Sequence, residues 1–239
     1  MLKRSTINQS IEIARRVFAA AGLHLPAFAT WSVEEWDRCG READEIRDCM
    51  LGWDVTDFGS GDFANIGRTL FTLRNGRHND SRYPKTYAEK FILDPEGQRA
   101  PAHFHRSKRE DIINRGNGLI VLELTASDPE GNPAGGTLQL AVDGVARTIR
   151  SGSRVALKPG ESICLPPRTI HQFWGEGGDG MVIDGVKYGV SGELSSVCDD
   201  RSDNVFIHGG NRFPELDEDE PRRYYLCQEY PAAQPPCLR

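Results

Sequence analysis

No run of apolar residues in these 239 positions is long enough to cross a membrane. The most apolar early stretch, Val17 to Ala29, is broken by His24 and Pro26. Lys3, Arg4, Arg15 and Arg16 make the N-terminus basic, but Asn8, Gln9 and Glu12 interrupt it. It has no continuous apolar core and reads as mature protein rather than a targeting peptide. Cysteine is scarce, at 6 residues, and no two form a C-x-x-C pair. That excludes a disulfide scaffold, a zinc ribbon and a thioredoxin-type centre, and suits free thiols in a reducing cytoplasm. Positive charge is in deficit as well: Lys+Arg 29 against Asp+Glu 35 leave a net charge of -6. A nucleic-acid partner held by bulk electrostatics is therefore not expected, and no segment reads as a basic recognition helix. No repeat recurs at a fixed period.

What remains is an ordinary globular composition, with 38% hydrophobic and 27% charged residues. Residues 1–50 read as an α-helical arm. Ile7, Ile11, Ala14, Phe18 and Ala21 recur at helical spacing behind a Thr6–Gln9 capping box, and Gly22 stops the run. A second box, Ser32–Glu35, opens a short helix carrying Trp36, and Arg41 to Met50 reads as a third. Past Gly52 the pattern changes to short runs of β-branched and aromatic residues divided by Gly, Asp, Asn and Pro. Strands are expected at Thr69–Leu73, Thr86–Leu93, Leu119–Leu124, Leu138–Val142, Ala146–Ile149 and Ser162–Leu165, with a type I′ hairpin at Asp143-Gly144. The fold class is mainly β, a sandwich or barrel over 51–230. Ser195 to Glu220 is irregular, and its acidic run (Glu215, Asp217, Glu218, Asp219, Glu220) reads as a solvated loop. Tyr224 to Tyr230 is expected to return as a strand, and 231–239 to form a loose Pro-rich tail.

The chemistry is concentrated in two segments. In Ala102-His103-Phe104-His105-Arg106-Ser107-Lys108-Arg109-Glu110, a strand would aim His103 and His105 at one point, and a turn would return Glu110 toward them. Two imidazoles and a carboxylate suit a divalent transition metal. In the second segment, Pro159-Gly160-Glu161-Ser162-Ile163-Cys164-Leu165-Pro166-Pro167 leads through Arg168 to His171, which supplies a fourth ligand. The plainer alternative is that these histidines are packed or exposed, and that is the reading given to His24, His78 and His208.

This pair of segments resembles the two motifs of the cupin superfamily. Gly97, His103, His105 and Glu110 fit the first, whose final Gly falls at Asn117. Gly160, Pro166 and His171 fit the second, with Arg168 in place of its Gly and Gly175 in place of its Asn. The resemblance implies a cupin-type double-stranded β-helix, a jelly-roll barrel. Over nearly the whole chain the sequence is similar to the bacterial D-lyxose isomerases. The stretches that carry this include Leu51-Gly52-Trp53-Asp54-Val55-Thr56, Leu70-Phe71-Thr72-Leu73-Arg74-Asn75-Gly76, Tyr87-Ala88-Glu89-Lys90, His103-Phe104-His105 and Lys108 to Gly116. Pro159 to Pro167, Gly192-Glu193-Leu194-Ser195-Ser196-Val197 and Asp217-Glu218-Asp219-Glu220-Pro221 complete them. The family implies a manganese-dependent interconversion of D-lyxose and D-xylulose, often also of D-mannose and D-fructose, by a homodimer. Trp31, Trp36 and Trp53 offer apolar surface that a dimer could use.

An aldose–ketose isomerase must move a proton between C1 and C2 of an open-chain sugar and stabilise the enediolate between. A Lewis-acidic ion on His103, His105, Glu110 and His171 would leave two of six positions for O1 and O2. The same ligands accept Fe2+, Zn2+, Co2+ or Ni2+. Glu193 is the candidate base; without the resemblance it would read as a surface strand residue. Lys108, two residues before Glu110, is the candidate for stabilising charge and relaying a proton between the oxygens, against a solvated loop lysine. Lys90, on an otherwise apolar strand, can bind sugar hydroxyls or serve as an edge-strand charge. One of Phe173 and Trp174 should line the pocket and the other pack outside, with Phe173 taken as the substrate-facing ring. Asp200 and Glu229 are further candidates for hydroxyls. The competing readings are a cupin dioxygenase, in which Lys108 and Glu193 have no obvious roles, and a non-catalytic sugar-binding cupin.

Overall fold

The computed structural model describes residues 1–233, and the greater part of the expected tail lies outside them. In chain order the elements are β1 (Leu2–Lys3), α1 (Arg4–Ala20), α2 (Val33–Arg38), α3 (Asp44–Asp48), β2 (Gly52–Thr56), β3 (Arg68–Arg74), β4 (Tyr87–Pro95), β5 (His103–His105), β6 (Glu110–Asn114), β7 (Leu119–Ser127) and β8 (Pro133–Ala134). They continue with β9 (Thr137–Val142), β10 (Val145–Arg150), β11 (Ser153–Leu157), β12 (Ser162–Leu165), β13 (Ile170–Glu176), β14 (Met181–Ile183), β15 (Val186–Ser196), β16 (Asn204–Phe206) and β17 (Leu216–Asp217). Each strand expected from the pattern between Thr69 and Leu165 is present to within two or three residues. Asp143 and Gly144 have φ 49 and 77, the type I′ hairpin that an Asp-Gly pair favours.

Two sheets curl against each other. The larger runs β10-β9-β12-β6-β15-β4-β3-β2, with β14 alongside β15; the smaller runs β11-β7-β13-β5-β16, with β8 beside β7. Strand alternation sorts the side chains. On β4, Lys90 and Ile92 point into the barrel, while Phe91 and Leu93 point out beneath α1. Ile92, Ile112, Leu122, Leu124, Leu157, Ile163 and Phe173 fill the space between the sheets. Ile7, Ile11, Ala14 and Phe18 of α1 cover Trp53, Phe71, Phe91, Leu93 and Val190 on the outer face of the larger sheet. Each such buried side chain contributes about 1.5–3 kcal/mol, so the arm is held by apolar contact as firmly as a core element.

The helix starts depart from the sequence reading in one place. The Ser32–Glu35 box forms in both directions. The Thr6–Gln9 box does not: α1 begins at Arg4, with Lys3 as its N-cap and no side-chain cap. A distant segment caps it instead, since Asp219 accepts from the Ser5 amide at 2.9 Å and from its hydroxyl at 2.7 Å. The third helix is a 3-10 turn over Arg41–Ala43 followed by α3.

The acidic run keeps Glu215, Glu218 and Asp219 exposed, but it is also a clasp on α1. β17 pairs in parallel with β1. Glu218 accepts two hydrogen bonds from Arg4, and the Asn8 amide donates to Glu220 at 2.6 Å. Arg4 is 0% exposed and also binds Glu229. Arg4, Ser5 and Asn8 on the helix, unknown to a local reading, hold three of its carboxylates. Tyr224 to Tyr230 forms no strand; only Leu226 bridges Trp53. Trp36 packs on Trp31, Tyr230 and the Arg47 guanidinium. Trp53 packs on Phe18 and Phe71. The tryptophan surface is thus largely used within one chain.

Candidate active site

Five strands bring the candidate residues to one end of the barrel. His103 and His105 sit on β5 and His171 on β13, where His171 and His103 are register partners. Their ring centroids are 4.4 Å apart, and both lie 5.2–5.6 Å from His105. One ring nitrogen from each lies within 4.8 Å of the others. Glu110 enters from β6 of the facing sheet. In register, Ser195 on β15 lies opposite Glu110, and Glu193 lies opposite Lys90 on β4. Glu110, Ser195, Glu193 and Lys90 therefore share the inner face of three adjacent strands.

The departures from the cupin motif have local explanations. Arg168, where the motif has glycine, adopts φ 66. Its guanidinium, bonded to the Asp128 and Pro129 carbonyls and lying over Phe104, offsets the strain of that left-handed conformation. At Gly175, where the motif has Asn, a Cβ would come within 2.6 Å of the Asp94 carbonyl oxygen.

The donor set fits a divalent cation. His103 Nδ1 is 2.9 Å from the Pro101 carbonyl and His171 Nδ1 is 2.9 Å from the Thr169 carbonyl. A carbonyl only accepts, so each Nδ1 carries the hydrogen in the neutral ring and each Nε2 presents a lone pair to the centre. Burial, reinforced by the neighbouring histidines, holds His103 well below the usual imidazole range; burial and Lys108 lower His105. Glu110 Oε1 is buried with no hydrogen-bond partner, 2.9 Å from His171 Nε2. Two lone pairs facing each other at that distance are what a bound cation between them would resolve. Burial opposes charge on Glu110, yet Lys108 and the histidines hold its carboxyl well below the ordinary range. It is thus ready as an anionic ligand.

Next to these ligands lies a chain of alternating charges. Lys108 Nζ forms an ion pair with Glu110 Oε2 at 2.8 Å and donates to Glu193 Oε1 at 2.7 Å. Lys90 Nζ is 3.5 Å from Glu193 Oε1 and 3.5 Å from Asp200 Oδ2, and donates to Cys198 Sγ at 2.9 Å. All of these side chains except Asp200 and Cys198 are almost wholly buried. Burial works against every charge here. The opposite charges prevail: Lys90 and Lys108 are raised by their carboxylates, and Glu193 and Asp200 are lowered by the lysines. Cys198, buried beside Asp200, is pushed up to about 12 and stays a thiol.

Of the residues singled out from sequence, His103, His105, Glu110, His171, Lys108, Glu193, Lys90, Asp200 and Phe173 all line one cavity. Trp174 points the other way, stacked under Arg99. Glu229 is a correction: it lies in the clasp, bound by Arg4 and Arg222 and capping the Leu226 amide, and does not line the cavity. Its sequence neighbours gave no sign of the buried arginine that claims it.

Sequence reasoning missed several contributors. Ser195 Oγ shares its one hydrogen between Glu193 Oε1 at 3.0 Å and the Ser196 carbonyl at 2.9 Å; strand parity two residues from Glu193 was the available signal. Asp203 accepts from the Ser107 amide and hydroxyl and from the Lys108 amide, which fixes the turn between His105 and Glu110. Phe58 and Phe206 wall the cavity; Arg68, at the start of β3, and Asn204 and Arg212, from a segment without periodic pattern, add polar groups.

The family described as D-lyxose isomerase matches residues 2–230. The chain is 45% identical over 230 residues to the D-lyxose/D-mannose isomerase of Serratia proteamaculans, covering 96% of this chain and 98% of that one. It is 44% identical, over the same shares of each chain, to the D-lyxose/D-mannose isomerase of Escherichia coli O157:H7. Its fold is like that of the Acinetobacter sp. DL28 L-ribose isomerase solved with L-ribose. That likeness has a TM-score of 0.55 at 15% identity and covers 86% of this chain and 92% of that one. It shows the cupin-type barrel. With a sequence match running nearly end to end and the matched histidines and carboxylates gathered in one cavity, the chain belongs to the D-lyxose isomerase family of aldose–ketose isomerases.

Proposed function

We propose that this protein interconverts D-lyxose and D-xylulose, and D-mannose and D-fructose, by proton transfer on the open-chain sugar in the His103–Glu193 cavity. The observation that carries the reading is Glu193: its Oε1 is tied by Lys108 and Ser195, while Oε2 receives no hydrogen bond among the described residues. A buried carboxylate with one anchored and one free oxygen suits a base that serves two adjacent carbons.

His103, His105, Glu110 and His171 would hold the divalent ion, manganese on this reading, which supplies Lewis acidity for negative charge developing on the sugar oxygens. The remaining steps belong to the chain's own groups. In the aldose-to-ketose direction Glu193 Oε2 takes the proton from C2 and returns it at C1. Lys108, held cationic by two carboxylates, donates to O1 and recovers the proton that leaves O2, so its charge is unchanged over the cycle. Lys90 keeps Glu193 anionic and, with Asp200, offers a donor and an acceptor to hydroxyls further along. Phe58, Leu70, Ile92, Phe173 and Phe206 exclude water, which protects the enediolate and strengthens each charge interaction.

Among the described residues no helix is long and apolar enough to cross a membrane, and the five described cysteines are unpaired. On the same reading the protein acts on a small sugar as a cytoplasmic homodimer, with neither nucleic acid nor membrane as partner.

The test is proton exchange. The manganese-loaded protein is incubated with D-lyxose, and separately with D-mannose, in heavy water and followed by NMR. Ketose with partial deuterium at C1 is the expected result. No ketose and no exchange across a panel of aldoses would overturn the reading and direct attention to oxygen consumption with iron.

A further inference from the structure

Apart from His105 and Glu110 among the candidate cation ligands, two residues of the cavity carry polar atoms for which the protein supplies no partner. Arg212 is 9% exposed; its Nη2 donates to Asp54 Oδ2, while its Nη1 is buried and unpaired. Asn204 donates through Nδ2 to the carboxylate and the carbonyl of Asp200, which fixes its amide, and its Oδ1 is buried and unpaired. Both residues line the cavity beside Lys90 and Asp200. Asn204 pairs in register with His105, one strand beyond the histidines, so its side chain faces the same interior. A buried donor and a buried acceptor left unmatched are each unfavourable unless something else satisfies them.

We propose that Asn204 Oδ1 and Arg212 Nη1 are specificity-determining groups that together bind a hydroxyl of the open-chain sugar at C4 or beyond. The inference rests on the isomerase reading of this cavity. A hydroxyl gives one hydrogen and accepts others, which matches one acceptor and one donor. The carbonyl end is committed elsewhere, to the histidines, Glu110, Lys108 and Glu193. The other lining guanidinium, Arg68, is already bonded to Asp94 at 2.7 Å and to the Phe173 carbonyl. Charge points to a neutral ligand: Arg212 is balanced by Asp54, with Asp200 also acting on it, and Arg68 is balanced by Asp94. Neither guanidinium is left with a free charge for a phosphate, so the pair selects an uncharged polyol over a sugar phosphate.

The experiment compares wild type with Asn204→Ala and Arg212→Lys, the latter retaining a cation beside Asp54 so that no buried carboxylate is stranded. Steady-state constants are measured for D-lyxose, 4-deoxy-D-lyxose and 5-deoxy-D-lyxose. Each variant is expected to raise KM for D-lyxose by about tenfold or more, with kcat within about threefold, because the lost contact is made equally in ground and transition states. For the deoxy sugar that lacks the held hydroxyl, wild type and variants should coincide. A variant that changes all three sugars by the same factor, or none of them, overturns the assignment. Calorimetric titration of D-arabinitol, the reduced form of D-lyxose, separates this inference from the isomerase reading. If wild type binds the polyol and both variants bind it about tenfold more weakly, the pair stands even where no turnover is seen. Equal affinities overturn it whatever the activity.

Discussion

Lys108 Nζ lies 2.7 Å from Glu193 Oε1, and this bond joins the histidine side of the cavity to the carboxylate proposed as the base. The same ammonium is 2.8 Å from Glu110 Oε2. One lysine therefore orients both the proposed metal-binding carboxylate and the proposed base, and leaves Glu193 Oε2 without a hydrogen bond among the described residues. Removing either carboxylate should affect different quantities.

Glu193→Gln keeps the shape of the side chain and removes its basicity. It should retain bound metal and lower kcat by about 10²–10⁴-fold, the usual span for a lost general base. Metal analysis alongside steady-state rates checks this; a near-normal kcat would remove Glu193 from the proton path.

His171→Ala should lose metal and activity together, since its Nε2 faces Glu110 Oε1 at 2.9 Å across the position a cation would occupy. Exhaustive chelation of the wild type should likewise abolish turnover, with manganese restoring it best among divalent ions. A variant that is full of metal and active would refute the ligand assignment.

Ser195→Ala deletes the 3.0 Å donor to Glu193 Oε1 but leaves Lys108 in place. The carboxylate should become less fixed, and kcat should fall about tenfold with KM little changed, as for an interaction that matters only at the transition state. Ser195→Thr, which keeps the hydroxyl, should recover most of the loss. Equal losses in both variants would assign Ser195 to packing alone.

The clasp should make stability depend on acidity. Hydrogen bonds from Arg4 hold Glu218 at a pKa of about 2, below its ordinary value of 4.5. A lowered carboxyl pKa stabilises the fold fully above the ordinary value, and the contribution disappears as pH falls from there toward about 2. Glu218 is 49% exposed, so solvent screening keeps its share small, about 1 kcal/mol or less. Melting temperatures from pH 6 down to pH 2.5 should fall less steeply for Glu218→Gln than for wild type. Parallel curves would show that the pairing carries no net stability. Arg4→Ala, which strands Glu229 as well, should cost on the order of 3 kcal/mol.

The shared direction of His103 and His105 was legible in the sequence because a strand alternates, whereas the inward reading of Glu193 rested on the family resemblance and that of Lys90 stood beside an edge-strand alternative. In the structure α1 covers Phe91 and Leu93, so Lys90 points the other way. The Asp143-Gly144 hairpin was legible for an equally local reason, the positive φ that the turn demands. The start of α1 was not. A plausible local box at Thr6 lost to the pairing of Leu2–Lys3 with Leu216–Asp217 and to Asp219, more than two hundred residues away.

Glu229 and Asp200 show the same division within the site. Both are acidic residues in irregular segments near the C-terminal end, and no pattern distinguishes them. Asp200 follows β15 directly and stays at the mouth of the barrel beside Lys90, whereas Glu229 is carried past β17 to the buried Arg4. Arg212 and Asn204 entered the cavity from the same stretch without any periodic signal. By itself the sequence determined the strand parity, the turn positions and the set of groups able to bind a cation, because these follow from neighbours a few residues apart. The tertiary structure decided which distant charges meet, whether an acidic run also clasps a helix, and which polar atoms are left unpaired for a ligand, because each depends on chain crossings that no local spacing encodes.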